Sequence, residues 1–186
     1  HGLPVPPQHG SGADPYGGSY SPAQIRAWVD QARTLGIQIV PEIDVPGHCF
    51  AAIAALPELR DPDDPGIAES VQHFAANALN PGVPSTRPFL EAVFGALADL
   101  FPSPIIGIGG DEVAHGAWAT SPAAQRYAAE RGLTDHAAVE AAFVTEIVEL
   151  ARAATGRTLL ATQEVAEAGA MRPGEGLALG WMDRAS

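Results

Sequence analysis

One nine-residue segment, Ile-Ile-Gly-Ile-Gly-Gly-Asp-Glu-Val at 105–113, constrains the fold most strongly. A continuous apolar run is typical of a parallel strand buried on both faces, whereas a half-exposed strand would alternate. The run leads through two glycines, which permit a tight turn, into the adjacent carboxylates Asp111 and Glu112. Ligands bind at the carboxyl ends of strands in α/β sheets and barrels, so an acid pair is expected at such an end. An acidic first turn of a helix is the structural alternative.

A second segment, Leu-Gly-Ile-Gln-Ile-Val-Pro-Glu-Ile-Asp-Val-Pro-Gly-His at 35–48, has the same organisation. Its apolar stretch predicts a strand at 37–43, and Asp44 and His48 follow it. The Pro-Gly pair at 46–47 predicts a turn that returns His48 toward the end of the strand. We therefore expect Asp44 and His48 to lie on one rim.

Helical patterns and strand-like runs alternate along the remaining chain, which indicates a parallel α/β sheet. Ser21 is predicted to cap the first helix, with Trp28 in the core, and Thr134 or Asp135 to cap the longest one. The predicted helices are 21–35, 50–55, 88–100, one opening at 121–122, and one ending near 156. The predicted strands besides 37–43 are 105–108, 158–161 and 177–180, and 57–86 is predicted to be a long loop.

Composition excludes several classes of protein. The formal net charge of −12 disfavours nucleic-acid binding, which normally requires a basic patch. No apolar run approaches the ~20 residues that span a bilayer, so no membrane insertion is expected. The single cysteine, Cys49, excludes an internal disulfide framework. Cys49 is predicted to be a small buried residue rather than a nucleophile.

The two polar segments, with Gly-Ser-Tyr-Ser at 18–21, Leu-Pro-Glu-Leu at 56–59 and Leu-Asn-Pro at 79–81, resemble the catalytic domain of family-twenty glycoside hydrolases, the β-N-acetylhexosaminidases. The matches follow the family order from about Tyr20 to Trp181. The resemblance implies part of a (β/α)8 barrel of the triosephosphate-isomerase type. About four central strand-helix units would be present, and the N- and C-terminal strands would be missing.

The domain organisation expected from this resemblance is a loop segment at 1–20 and a partial catalytic barrel domain at 21–186, within a longer polypeptide. A half barrel leaves two sheet edges open, and open edges favour pairing with another copy. We therefore expect a homo-oligomer through these edges or a distorted core.

The resemblance also implies an activity. Such enzymes remove terminal β-linked N-acetylglucosamine or N-acetylgalactosamine from β-N-acetylhexosaminides, chitooligosaccharides or glycans, with retention of configuration. The acetamido group of the sugar acts as the nucleophile and forms an oxazolinium intermediate. No metal and no cofactor are implied. The isolated chain is expected to have little activity, because an arginine, an aspartate, a tyrosine and a tryptophan of the sugar pocket would lie outside it.

The resemblance also implies a role for seven residues. Glu112 would be the general acid and base, and Asp111 would bind the acetamido N–H. His48 and Asp44 would support Glu112. Substrate would contact Trp181, Glu164 and Trp118. Structural alternatives remain open for each: an exposed turn histidine, an Asx turn at Asp44, core packing for Trp181 and loop packing for Trp118.

One departure from the family pattern concerns Thr162, which stands where a tryptophan of the pocket wall is expected. Two other functions also remain open. A non-catalytic carbohydrate-binding relative would keep the fold and tolerate loss of the acid pair, but both acids are present. A metal-dependent hydrolase could draw its ligands from carboxylates and imidazoles, namely Asp44, His48, Asp111, Glu112 and His115.

Overall fold

The computed structural model describes residues 18–66, 68–70, 73–75 and 77–181. They form two compact units that divide between Gln38 and Ile39. The predicted loop at 1–20 lies outside the described residues as far as residue 17. The boundary predicted between residues 20 and 21 stays a prediction.

The first unit contains helix α1 (Pro22–Thr34). It begins as predicted, because the Ser21 and Gln24 side chains each accept a hydrogen bond from the other residue's backbone N–H. The prediction that Trp28 is a core residue is wrong: its side chain is 43% exposed. No residue of α1 is buried, and the described part of this unit offers Trp28 only an edge-on ring contact with Tyr20 at 4.7 Å.

The second unit contains the sheet and the other helices. Helices are α2 (Phe50–Ala55), α3 (Thr86–Leu100), α4 (Pro122–Arg131), α5 (His136–Thr155) and α6 (Gln163–Glu167), with a 3-10 turn at Pro57–Leu59. Strands are β1 (Ile105–Gly109), β2 (Thr158–Thr162) and β3 (Gly176–Leu179). The predicted bounds of the elements are confirmed to within about two residues, except for the strand at 37–43. The short helix α6 was not predicted.

The three strands are parallel and lie in the order β1-β2-β3. Ile105 pairs with Thr158, and Leu159 pairs with Gly176. The register of β1 shifts between Gly107 and Gly109. Because all three strands run in one direction, their carboxyl ends lie at the same edge of the sheet. This edge carries the polar residues that follow β1 and β2.

The predicted strand at 37–43 is wrong: the described residues form three strands elsewhere, and this segment makes only an isolated bridge between Glu42 and Gly107. The Gly107 N–H donates to the Pro41 carbonyl, and the Ile43 N–H donates to the Gly107 carbonyl. Pro41 has no N–H, so the pairing cannot continue as a regular ladder. Residues 41–43 nevertheless run beside β1 and fix the position of the residues that follow them.

The core of this unit forms where α3 and α5 pack on each other and α5 packs on β2. Fully buried side chains include Phe94 of α3, Ile106 and Ile108 of β1, Ile147 of α5 and Leu159 of β2. The apolar run of β1 is therefore buried, as its composition predicts. None of the helices in the described residues is long and apolar enough to cross a membrane.

Candidate active site

The turn that follows β1, residues 109–112, has an unusual backbone. Gly109, Gly110 and Glu112 have φ angles of 60°, 103° and 51°. Glycine adopts such angles readily, whereas a residue with a side chain is strained there. A Cβ atom at position 109 would lie 2.1 Å from Oδ1 of Asp44, so only glycine fits. The two glycines thus permit the backbone conformation that presents the carboxylates of Asp111 and Glu112.

The segment that carries Asp44 and His48 is tied to β1 and to the long loop. The Val45 N–H donates to the Ile108 carbonyl at 3.1 Å, and the Leu79 N–H donates to the Pro46 carbonyl at 2.8 Å. The Val45-Pro46 peptide bond is cis, and His48 has a φ of 51°. The predicted Pro-Gly turn thus brings the imidazole beside the turn after β1.

Four side chains converge there: Asp44, His48, Asp111 and Glu112, which we call the acid-histidine cluster. Nε2 of His48 lies 3.5 Å from Oδ2 of Asp111, 3.5 Å from Oε2 of Glu112 and 3.8 Å from Oδ2 of Asp44. This nitrogen is buried, and no described residue forms a hydrogen bond with it. The three carboxylates therefore surround one imidazole nitrogen.

Asp44 has the perturbed acidity in this cluster. Burial raises the pKa of Asp44 to about 6, and the negative charges of Asp111 and Glu42 add to the effect. A hydrogen bond from the Gly110 N–H to Oδ1, at 3.0 Å, opposes the rise, as does His48. Asp44 therefore gains or loses its proton near pH 6.

The neighbouring thiol is unsuited to nucleophilic chemistry. Burial and the charge of Asp44 raise the pKa of Cys49 to about 12. Its Sγ contacts the Asp44 carbonyl oxygen at 3.5 Å. A thiol this weakly acidic is not ionised at neutral pH, which supports the prediction of a buried structural cysteine.

A metal could bind to part of the cluster. Within the described residues, one ligand atom each from Asp44, His48 and Asp111 lie within 4.8 Å of one another. His115, the further ligand considered from the sequence, is exposed, and its ring lies 5.6 Å from that of His136. The structure thus brings three of the five candidate metal ligands within this spacing.

A second group of residues lies at the ends of β2 and β3. The Trp181 indole N–H donates to Oε2 of Glu164 at 3.1 Å, and the indole is 49% exposed. Glu164 also lies near Glu140: burial raises the pKa of Glu140, and the charge of Glu164 adds to this rise. Trp181 and Glu164 therefore form a joined pair at the same edge of the sheet as the acid pair.

Trp118 lies in a different environment. Its side chain is only 4% exposed, and its indole N–H donates to the Leu79 carbonyl at 3.0 Å. It stacks on the His136 ring and meets Phe143 edge-on. These contacts favour the loop-packing role that the sequence left open beside substrate binding.

Sequence reasoning missed two contacts of the turn after β1. The Thr162 hydroxyl donates to the Gly109 carbonyl at 3.2 Å. Val165, in the unpredicted helix α6, packs so closely that a Cβ on Gly110 would lie 2.2 Å from its Cγ2. The glycine pair was the only signal of such crowding, since glycine is required where another chain segment approaches closely.

The catalytic-domain model described as "Glycosyl hydrolase family 20, catalytic domain" matches residues 6–185 of the chain. The chain belongs to this family. Among its relatives is the beta-hexosaminidase of Vibrio furnissii, which is 45% identical over 130 residues, covering 69% of this chain and 21% of that protein. The beta-N-acetylhexosaminidase of Cellulomonas fimi is 42% identical over 97 residues, covering 52% of this chain and 20% of that protein.

Solved structures agree with this assignment. The exo beta-N-acetylglucosaminidase of Vibrio harveyi in complex with N-acetylglucosamine superimposes with a TM-score of 0.88 at 34% identity. The match covers 95% of this chain and 28% of that one. The prediction of a partial (β/α)8 barrel is confirmed, with three parallel strands in the described residues. The chain spans about a fifth of the length of the two curated relatives named above.

Proposed function

We propose that this chain supplies the acid pair of a retaining hydrolase that removes terminal β-linked N-acetylhexosamine. The observation that carries the proposal is that Asp111 and Glu112 follow one strand and both face the same nitrogen of His48, each at 3.5 Å. Most glycosidases place a sugar between two carboxyl groups that are roughly 5 to 9.5 Å apart. Consecutive residues on one turn suit a mechanism in which the substrate supplies the nucleophile.

In the proposed reaction, Glu112 donates a proton to the glycosidic oxygen as its bond to C1 breaks. The acetamido oxygen of the sugar forms a bond to C1 on the opposite face, giving an oxazolinium ion, while Asp111 accepts a hydrogen bond from the acetamido N–H. Glu112 then takes a proton from water. The water oxygen attacks C1, and the bond between C1 and the acetamido oxygen breaks, which opens the oxazolinium ring. Two inversions retain the configuration.

Other residues of the site have supporting roles in this proposal. His48 supports the acid pair, because its Nε2 lies 3.5 Å from a carboxylate oxygen of each acid, and Asp44 lies 3.8 Å from the same nitrogen. Trp181, fixed by Glu164, offers an exposed indole face to the apolar C–H groups of the sugar. Terminal N-acetylglucosamine or N-acetylgalactosamine of a glycan or chitooligosaccharide is the proposed substrate.

The test is hydrolysis of 4-nitrophenyl N-acetyl-β-D-glucosaminide by this chain and by any longer polypeptide that carries it. We expect Glu112→Gln and Asp111→Asn each to lower kcat by roughly a hundredfold or more, since each removes a group that acts in the transition state. Glu130→Gln, on α4, is the charge control. Full turnover by either site variant would contradict the proposal.

A metal-dependent hydrolase is the second candidate, favoured by the close spacing of Asp44, His48 and Asp111. Under this alternative the carboxylates and imidazole would hold a divalent ion that activates water. Turnover that disappears on treatment with a chelator and returns with Zn²⁺ or Mn²⁺ would support it. Turnover that a chelator leaves unchanged would support the substrate-assisted mechanism.

A further inference from the structure

Thr162 lies where β2 ends, next to the turn that presents the acid pair. The ladder between β1 and β2 ends with the pair Gly109 and Ala161. Thr162 is the next residue of β2, and its hydroxyl donates to the Gly109 carbonyl at 3.2 Å. Gly109 is buried, and Thr162 is half-buried. The hydroxyl thus extends the contact between the two strands by one hydrogen bond, at the start of the turn after β1.

The turn after β1 is held from two directions. On the side of the 41–45 segment, the Gly110 N–H donates to Asp44 at 3.0 Å. On the side of α6, Val165 packs against the α-carbon of Gly110. Thr162 belongs to this second side, since its Oγ1 lies 3.8 Å from the position of a Cβ built on Gly110. Three side chains from three segments therefore enclose the glycine pair.

The turn needs such support because its backbone is unfavourable. Glu112 has a φ of 51°, a conformation that a residue with a side chain keeps only where its surroundings impose it. In this conformation of the turn, Asp111 and Glu112 each lie 3.5 Å from the His48 nitrogen. A change in the position of the Gly109 carbonyl would rotate the peptide units that carry both acids.

We propose that Thr162 is a positioning residue, whose hydroxyl fixes the Gly109 carbonyl and thereby the orientation of Asp111 and Glu112. The catalytic consequence of this inference rests on the proposed function, whereas the structural consequence does not. A tryptophan, which the family resemblance leads one to expect at this position, has no hydroxyl.

The structural arm of the test compares Thr162→Val, which removes only the hydroxyl, with Thr162→Ser, which keeps it. Hydrogen exchange of the 186-residue chain is followed by mass spectrometry on peptides covering 107–113. We expect exchange in the valine variant to be about fivefold faster than in the parent and exchange in the serine variant to be unchanged. Peptides from α5 provide the internal control. Equal exchange in all three proteins, or serine behaving like valine, would overturn the proposal.

The catalytic arm uses a polypeptide that hydrolyses the chromogenic substrate. We expect Thr162→Val to lower kcat about tenfold with KM within about twofold, because the acids are misplaced while the sugar still binds. Thr162→Ser should restore kcat. If no polypeptide that carries this chain hydrolyses the substrate, the proposed function fails, and the exchange arm alone decides the role of Thr162. If the valine variant does not fold, Thr162→Ala takes its place in both arms.

Discussion

Asp44 and Gly109 are interdependent at the residue scale. Asp44 occupies the space that a side chain at position 109 would need, and it also accepts the hydrogen bond from Gly110. The family resemblance singles out Asp44 as a supporting residue, and the structure adds that it holds the backbone of the turn after β1. Its removal would therefore affect both charge and geometry.

Gly109→Ala is expected to destabilise the protein strongly. The added methyl group would meet Asp44 and would also sit at a φ of 60°, at a combined cost of roughly 3 to 5 kcal/mol. The matched control is Gly132→Ala, since Gly132 has a φ of 67° and open space around it. That variant should lose about 1 kcal/mol. Urea denaturation measures both, and equal losses would show that the contact with Asp44 is unimportant.

The raised pKa of Asp44 predicts a pH-dependent effect on stability. The folded protein holds the proton of Asp44 up to about pH 6, whereas the unfolded chain releases it near pH 3.8. Raising the pH through this window therefore lowers the free energy of unfolding. Asp44→Asn removes this loss, and its amide oxygen can still accept the Gly110 hydrogen bond.

The free energy of unfolding of Asp44→Asn minus that of the parent should thus be larger at pH 7 than at pH 4. The variant therefore gains stability relative to the parent as the pH rises. Chemical denaturation at the two pH values gives this difference. Asp99→Asn, which removes an exposed charge from α3, is the control. A difference for Asp44→Asn that does not change with pH would contradict the assignment.

At the scale of elements, the start of α4 is anchored by a buried polar network. The Ser121 hydroxyl accepts from the Ala124 N–H and from Nδ2 of Asn80, and it donates to Oδ2 of Asp61 at 2.6 Å. Burial acts to raise the pKa of Asp61, but hydrogen bonds from Ser121, Ala123 and Asp63 outweigh it and hold that pKa below its usual range. The network ties the long loop to α4.

Ser121→Ala is expected to cost about 2 to 4 kcal/mol, because it removes a helix cap and leaves a buried amide of Asn80 without its partner. Asp135→Ala is the matched control, since Asp135 caps α5 at an exposed position. That variant should cost about 1 kcal/mol. Urea denaturation gives both values. A cost for Ser121→Ala no larger than that of the control would show that the network adds nothing to the cap.

At the scale of the whole molecule, β3 is the outer strand of the sheet in the described residues. Its Leu177 and Leu179 side chains are 46% and 49% exposed. An uncharged outer strand with apolar side chains is a site where another strand can add. The homo-oligomer expected from the sequence remains a proposal, and this edge is the surface that we assign to it.

The 186-residue chain is accordingly expected to self-associate as its concentration rises. Leu177→Lys should reduce this association, because a charge on the edge opposes strand addition. Leu35→Lys is the control, since Leu35 is exposed beyond the end of α1 and outside the sheet. Sedimentation velocity measures the association. If the unmodified 186-residue chain is monomeric at all concentrations, the proposed self-association is contradicted.

Local sequence predicts most of the elements correctly because their signals are local. Ser21 and Asp135 cap helices through contacts three residues away, and Gly132 and Gly156 end helices in left-handed conformations. The short helix α6 was missed, and two further exceptions are the segment at 37–43 and Trp28. In both cases the sequence supplies an apolar face, but only neighbouring elements decide whether that face is paired or covered.

The sequence by itself determined the order of strands β1 to β3 and of helices α1 to α5, the burial of β1 and the placement of two carboxylates after it, because these depend on periodicity and on nearby residues. Only the tertiary structure decided that His48 faces Asp111 and Glu112, that Asp44 holds Gly110, and that Thr162 reaches Gly109. These contacts join residues about 50 to 70 positions apart. They depend on how whole elements pack, and short-range pattern carries no information about that packing.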